Sequence, residues 1–422
     1  MADLATASHI PKPEGVPFVR RKVPLHGRRP TVVYFDHTAK MSGGEIALHN
    51  VILNLDRERF EPVVIIGMDG TLANKLRDAG IEVHILPLDD SIASTRKDSL
   101  KGNSLLRIGT ALRSIRYTFR LARLLKARGA DILHTNSLKA DLLGGVAARM
   151  ARIPVIWHVR DRIADDYLPG FAARAFRLCC RVMPDYIIAN SHATMATLST
   201  GTAVRAAVVH SGSTNRQLKV VHDGISDFGL SPRLLETMTP IIGLVGRISP
   251  WKGQHIFIEA ASEVIRRYPG AEFQIIGSAM FGEEDYEAEL AKQVETLGLQ
   301  KNIHFLGFCE DVFDRINSLD ILVHASTVGE PFGQVVVEGM VAGKPVVATR
   351  GGGVPEIVVD GETGYLVPMD DAPAMAEALI KLLSNPEAAH RMGLRGRARV
   401  LQHFTIDITT HKIQDIYSEF FE

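Results

Sequence analysis

Cysteine is scarce in this sequence, and the scarcity excludes two classes of protein at once. Only Cys179, Cys180 and Cys309 occur. They are odd in number, lack zinc-ribbon or redox spacing, and include an adjacent pair of a kind that seldom bridges, so a disulfide scaffold and a cysteine metal centre are excluded and reduced, cytoplasmic thiols are expected. An excess of either charge is also missing. Lys plus Arg (48) equal Asp plus Glu (48), leaving no overall field to draw nucleic acid to the molecule, so no nucleic-acid partner is expected. No run reaches the roughly 18–20 apolar residues of a membrane-spanning helix, so the body is expected to fold in water, with peripheral membrane contact left open. Residues 1–29, rich in Pro, Arg and Lys, lack the apolar stretch of a signal peptide and read as a flexible leader.

What is present is an ordinary globular composition, 46% hydrophobic and 23% charged, spread over 422 residues. That length exceeds one compact core and suits two domains of roughly 100–200 residues each. From residue 31 onward, short β-rich runs alternate with helical stretches: TVVYF, PVVIIG, IEVHILPL, DILHTN (131–136), PVIWHV (154–159), DYIIANS (185–191) and KVVHDGI (219–225). A second series follows: PIIGLVGRI (240–248), AEFQIIG (271–277), NIHFLG (302–307), DILVHAS (320–326), KPVVAT (344–349) and GYLVP (364–368). Such alternation predicts α/β architecture with two doubly wound parallel sheets. The expected division is a first domain over 30–228, a second over 229–395 and a terminal helix over 396–422. In such sheets ligands sit beyond the carboxyl ends of the strands, so strand-end residues are the first candidates.

In the second series, GRISPWKG places Gly246, Arg247 and Lys252 on one strand-end loop. Two cations behind a glycine suit a diphosphate, although a solvated turn would look the same. After DILVHAS, Glu330 and Glu338 have seven residues between them in EPFGQVVVE, and the segment from Gly333 reads as a helix start whose free N–H groups can face an anion. A carboxylate at Glu338 suits ribose hydroxyls, while Glu330, in the preceding loop, can reach another part of the ligand. The triplet in RGGGVPEIV fits either a structural turn or a close ligand approach. In the first series, Gly43 and Gly44 open a helix where a phosphate could lie, and His158, near a strand end, could meet a sugar across a cleft.

Together GRISPWKG, EPFGQVVVEGMVAGKPVVAT, RGGGVPEIV and GETGYLVP resemble the retaining glycosyltransferases of family four, also described as group 1, whose GT-B fold sets two Rossmann-like domains face to face across a cleft. SGGE, WHVRD and ANS match more loosely in the first domain, and HDGI at 222–225 departs from the family's usual NGI or NGV. The resemblance implies a UDP- or GDP-sugar donor, no metal, and a saccharide or lipid-linked acceptor in polysaccharide or glycolipid synthesis. It implies that Arg247 and Lys252 bind the diphosphate, Glu338 the ribose, and Glu330 and His158 the sugar. It further implies that N–H groups of Phe332, Gly333, Gln334 and Val335 bind sugar and phosphate, with Gly43 and Gly44 completing the cradle. The competing classes are another enzyme on this architecture, an epimerase or a phosphorylase, and a catalytically silent binding subunit.

One helical stretch, SLLRIGTALRSIRYTFRLARLLKARG, gathers Arg113, Arg116, Arg120 and Arg123 beside an apolar arc of Ile108, Leu112, Ile115 and Phe119. It fits either a peripheral contact with anionic membrane at the inner face of the cell or a helix that packs its apolar arc inward.

Overall fold

The computed structural model describes residues 23–25, 27–89, 104–164, 168–198, 204–214, 239–280, 282–309 and 311–421, with backbone only for 104–112. The first seven strands are β1 (Thr31–Asp36), β2 (Glu61–Ile66), β3 (Glu82–Ile85), β4 (Ile132–Thr135), β5 (Val155–Val159), β6 (Tyr186–Ala189) and β7 (Arg205–Val208). They form one parallel sheet in the order β3-β2-β1-β4-β5-β6-β7. Six more build a second parallel sheet: β8 (Ile241–Val245), β9 (Glu272–Ile276), β10 (Ile303–Gly307), β11 (Ile321–His324), β12 (Val346–Thr349) and β13 (Tyr365–Val367). Their order is β10-β9-β8-β11-β12-β13.

The apolar runs are continuous because helices cover both faces. Along β1, Val33 and Phe35 enter the core on one side, whereas Val32 and Tyr34 enter the core on the other, as the two-residue period of a strand requires. In both sheets the winding direction reverses between two adjacent strands, β1 and β4 in the first and β8 and β11 in the second. A crevice opens at each reversal beyond the strand ends.

Two expectations need comment. The run at 219–225, with its HDGI variation, lies outside the described residues, while β7 comes from a segment, Arg205–Val208, that the pattern did not single out. The single returning helix over 396–422 is corrected, because Pro386–His403 is one helix across that boundary, and its Val400 packs in the second domain. The return occurs at Phe404 and Thr405. Ser213 N–H donates to Phe404 O and Ile406 N–H to Ser213 O, each at 2.8 Å, and the helix Ile406–Ser418 then lays Ile413, Ile416 and Tyr417 into the core of the first domain.

This return has a measurable weight. Tyr417 is fully buried, edge-on to Phe60 with ring centroids 5.6 Å apart, so Tyr417→Ala is expected to cost the first domain about 3–5 kcal/mol. The two tryptophans, Trp157 in β5 and Trp251 beyond β8, allow each domain to be followed alone in single-tryptophan variants during urea unfolding. A loss below about 1 kcal/mol, or an equal loss at Trp251, would contradict a helix that completes the first domain.

Candidate functional site

The crevice between β8 and β11 collects the charged residues of the second domain. The chain leaves β8 through Gly246 and Arg247, makes a tight turn over Pro250–Lys252 and enters the helix Gln254–Arg267 at Gly253. Gly253 has φ of +71°, and a Cβ there would stand 2.0 Å from Ala325 O, so only glycine lets the Lys252 turn press against the end of β11. Lys252 Nζ consequently reaches Glu330 and donates to its Oε1 at 2.5 Å. Ser326 Oγ donates to the same oxygen at 2.5 Å. His324 Nε2 lies 3.0 Å from the same oxygen. Oε2 carries none of the described hydrogen bonds.

Burial pushes the Glu330 carboxyl up, but Lys252 and His324 more than offset this and hold it well below the usual carboxylate range. The backbone around it is also fixed. Gly353 N–H donates to Glu330 O at 2.9 Å. Gly352, at φ +59°, packs so closely that a Cβ would lie 1.8 Å from that oxygen. The glycine triplet therefore has a structural task, to seat the Glu330 loop, and of the two readings open to it this one has geometric support.

Arg247 Nε lies 3.5 Å from Glu283 Oε2, and both Arg247 Cζ and Lys252 Nζ stand over the Trp251 ring, at 5.9 and 4.5 Å from its centroid. The helix Gln334–Val341 starts after Gly333, and Val336 and Val337 give the first bonds, to Gly333 O at 3.0 and 3.4 Å. The N–H groups of Gly333, Gln334 and Val335 therefore lie ahead of the helical ladder. Glu338 is half-buried one turn further on. Phe332 is buried, 5.6 Å from His210 and 6.1 Å from Phe404 between ring centroids. Gly246 N–H is already bonded to Ile276 O at 2.9 Å.

In the first domain the β1/β4 crevice holds Asp36, which accepts from Asn136 Nδ2 at 2.7 Å and Ser137 Oγ at 2.9 Å. Arg160, beyond β5, donates through Nε to Asn136 Oδ1 at 2.6 Å. Burial lowers its pKa to about 10 while Asp36, Glu45 and Asp141 support its charge. Gly43 and Gly44 begin the helix Gly43–Leu53, and just ahead of them Ser42 N–H donates to Glu45 Oε2 at 3.1 Å. A Cβ on Gly44 would come within 3.6 Å of the Arg160 side chain.

His158 is the penultimate residue of β5 and is 1% exposed. Its Nδ1 meets His134 Nε2 at 3.1 Å, and His134 Nδ1 meets the Tyr417 hydroxyl at 2.6 Å. Burial first, and then Arg160, pull His134 down to about 3 and His158 well below the histidine range, so both rings are neutral. His158 Nε2 is buried with no protein partner.

The first domain also grips the Glu330 loop on both sides. Arg162 Nη1 donates to Gly329 O at 2.9 Å, and Ser191 Oγ and Thr194 Oγ1 donate to Pro331 O at 2.5 and 3.2 Å. Of the residues missed in the sequence, His324, Ser326 and Asp36 had a signal, their place at strand ends, and Glu45 stands three residues after Ser42 in capping-box spacing. Trp251 lies within GRISPWKG and Ser191 at the end of DYIIANS, whereas Glu283, Arg162 and Thr194 had no signal.

The Glu330 pair gives a pH signature. A carboxylate whose pKa falls on folding adds stability that is complete above its unfolded value, about 4.3, and is lost as pH drops through the folded one. The melting temperature of Glu330→Gln should thus lie below wild type by a constant margin from pH 7 to pH 5, the margin closing only below about 4.3. Closure above pH 5 would refute a depressed pKa.

The family model described as glycosyl transferases group 1 matches residues 231–399, and that of glycosyltransferase family 4 matches residues 70–213. A putative glycosyltransferase of Bacillus subtilis, EpsD, is 33% identical over 40% of this chain and 43% of its own length. D-inositol 3-phosphate glycosyltransferase of Corynebacterium efficiens is 27% identical over 68% of this chain and 71% of its own. Against the first of the curated relatives, the match spans less than half of their length. Among solved structures, Alr3699/HepE of Anabaena, in complex with UDP and glucose, superposes with a TM-score of 0.76 at 25% identity, over 92% of this chain and 100% of that one. Two parallel Rossmann-like sheets, a crevice at each winding reversal and two adjoining family matches agree: the chain belongs to the group 1, family-four glycosyltransferases and has their GT-B fold.

Proposed function

We propose that the protein transfers a hexose from a nucleoside-diphosphate sugar, with retention at the anomeric carbon, to a saccharide or lipid-linked acceptor. The observation that carries this is the Lys252–Glu330 ion pair at the β8/β11 crevice, with Arg247 sharing the Trp251 ring with Lys252 and the helix Gln334–Val341 starting just after the Glu330 loop. Positive charge collects there around a carboxylate that is held ionised. The structural similarity to HepE with UDP and glucose supports a uridine nucleotide.

In this reading the diphosphate lies between Arg247, Lys252 and the helix start, which stabilise the charge developing as the bond from anomeric carbon to phosphate oxygen breaks. The bonding pair leaves with the diphosphate. The acceptor oxygen attacks from the face being vacated, and its proton passes to the departing phosphate oxygen. Glu330, with Oε1 held by Lys252 and Ser326, offers Oε2 to the sugar hydroxyls. His158 Nε2 meets the same sugar from the first domain, and Glu338 takes the ribose. Cationic side chains and the helix start assume the role that Mg²⁺ has in other transferases, so no metal is needed for turnover.

A second surface supports a lipid-borne acceptor. The helix Ser104–Ala127 buries Tyr117, Leu121 and Leu125, while Ile115 and Phe119 stay 53% and 55% exposed beside exposed Arg113, Arg116, Arg120 and Arg123. Ile115 and Phe119 are thus not packed inward, while Ile108 and Leu112, the rest of that arc, lie outside the described side chains. The helix Gly170–Cys180, which shares the same core, adds exposed Phe171, Arg174 and Leu178. Arginines flanking exposed apolar side chains suit anionic headgroups. Among the described residues no helix is long and apolar enough to cross a membrane.

The decisive experiment measures nucleoside diphosphate release over a panel of sugar nucleotides, with saccharide and lipid acceptors, and the anomeric configuration of the product by NMR. Inversion, or no release with any donor, would overturn the proposal. Arg247→Ala should weaken donor use roughly ten- to a hundredfold, and Lys252→Ala more, since it also strips Glu330 of its counter-charge; EDTA should not abolish turnover. Glu338→Gln should mainly raise KM and Glu330→Gln mainly lower kcat. Flotation with anionic vesicles should carry the wild-type chain, and reversing the charge of Arg116 and Arg120 should abolish it; unchanged flotation would dismiss the surface.

A further inference from the structure

Away from the donor crevice, the two domains meet at one carboxylate. Glu356, in the short helix Val354–Ile357, accepts the N–H of His192 at 2.9 Å and of Ala193 at 2.8 Å, at the start of the helix His192–Thr197 in the first domain. Its Oε2 also meets His210 Nε2 at 2.8 Å. Contacts with all three donors hold the Glu356 carboxyl below its ordinary range against the opposing effect of burial. The exposed His192 ring lies beside this contact, 6.0 Å from His210 between centroids. One ring nitrogen from each histidine and one Glu356 oxygen fall within 4.8 Å of one another.

Two imidazoles and a carboxylate form a donor set for zinc and its first-row neighbours, with a fourth position left to water; oxygen-seeking Mg²⁺ and Ca²⁺ are poorly served by it. Metal–ligand bonds of about 2.0–2.1 Å keep tetrahedral ligand atoms somewhat over 3 Å apart. The His210–Glu356 contact need therefore open by only a few tenths of an ångström as the ion replaces the proton shared between them, while the exposed His192 ring turns in. The surroundings already orient two of the ligands. The two backbone N–H groups fix the carboxylate, and Phe332 and Phe404, with ring centroids 5.6 and 5.3 Å from His210, fix the imidazole.

The position of this triad gives it a consequence. The histidines belong to the first domain and the glutamate to the second, and Ser191, which precedes His192, is bonded to Pro331 O in the Glu330 loop. We propose that His192, His210 and Glu356 bind one zinc-class divalent ion across the domain interface. The bound ion clamps the domains together, so it acts as an inhibitor of opening and takes no part in the transfer chemistry.

The test uses the full chain and Co²⁺ as a spectroscopic probe, with Zn²⁺ calorimetry alongside. One equivalent of Co²⁺ should give the intense visible absorption of a tetrahedral site, unaffected by millimolar Mg²⁺ and displaced by Zn²⁺. His192→Ala, at an exposed position where folding is not at risk, should weaken binding at least about tenfold, and His210→Ala likewise. Hydrogen exchange at residues 191–198 should slow with Zn²⁺ in the wild type and not in His192→Ala. Equal affinity in wild type and His192→Ala would overturn the site, and binding that leaves exchange at 191–198 unchanged would overturn the clamp.

Discussion

The ion pair of Lys252 with Glu330 governs the geometry of the whole second crevice. It joins the loop after β8 to the loop after β11, the two strands between which the winding reverses. A carboxylate only 8% exposed would be costly to keep charged without such a partner. With Lys252 and Ser326 donating to one oxygen and His324 3.0 Å from it, the charge is retained, and the other oxygen carries none of the described hydrogen bonds. Gly253 and Gly352 permit the approach of the two loops, each at a backbone angle that a side chain would oppose. The first domain then closes on this assembly through the carbonyls on either side of Glu330.

A second polar arrangement lies in the first domain, and its logic is different. Tyr417, His134 and His158 form a buried, neutral line in which the return helix touches a strand of the first sheet, which in turn touches the cleft-side histidine. Its members are satisfied by one another except at His158 Nε2. A buried nitrogen without a hydrogen-bond partner is costly to a fold.

Fold and site were legible in the sequence to unequal degrees. Both sheets could be read because parallel strands covered on two faces are short, continuous apolar runs, such as VVYF and IIGLV, with helices between them. β7 escaped because RAAV, at a sheet edge, lacks such a run. The helix start at Gly333 and the loop carrying Lys252 were visible because glycine marks them. The mutual contact of Lys252 and Glu330 was not, since 78 residues separate them and only the strand order brings them together. Glu356 was equally opaque, for its partners His192 and His210 lie in the other domain. The exposed apolar arc of Ile115 and Phe119 shows the same limit, because helical periodicity identifies an arc without saying which arc the sheet will cover.

The chain's path between domains bears on how the molecule is made. The first domain leaves the ribosome before the second, yet Ile406, Ile413, Ile416, Tyr417 and Phe420 belong to its core, and these residues are synthesised after the second domain. Throughout elongation the nascent first domain must carry an open apolar seam where the Ile406–Ser418 helix will lie. The second domain, whose core draws on residues from Ile241 to Phe404, can be complete before that seam is covered. Domain order in synthesis and domain order in completion are thus reversed, and a ribosome stall before Ile406 leaves the earlier domain as the aggregation-prone partner.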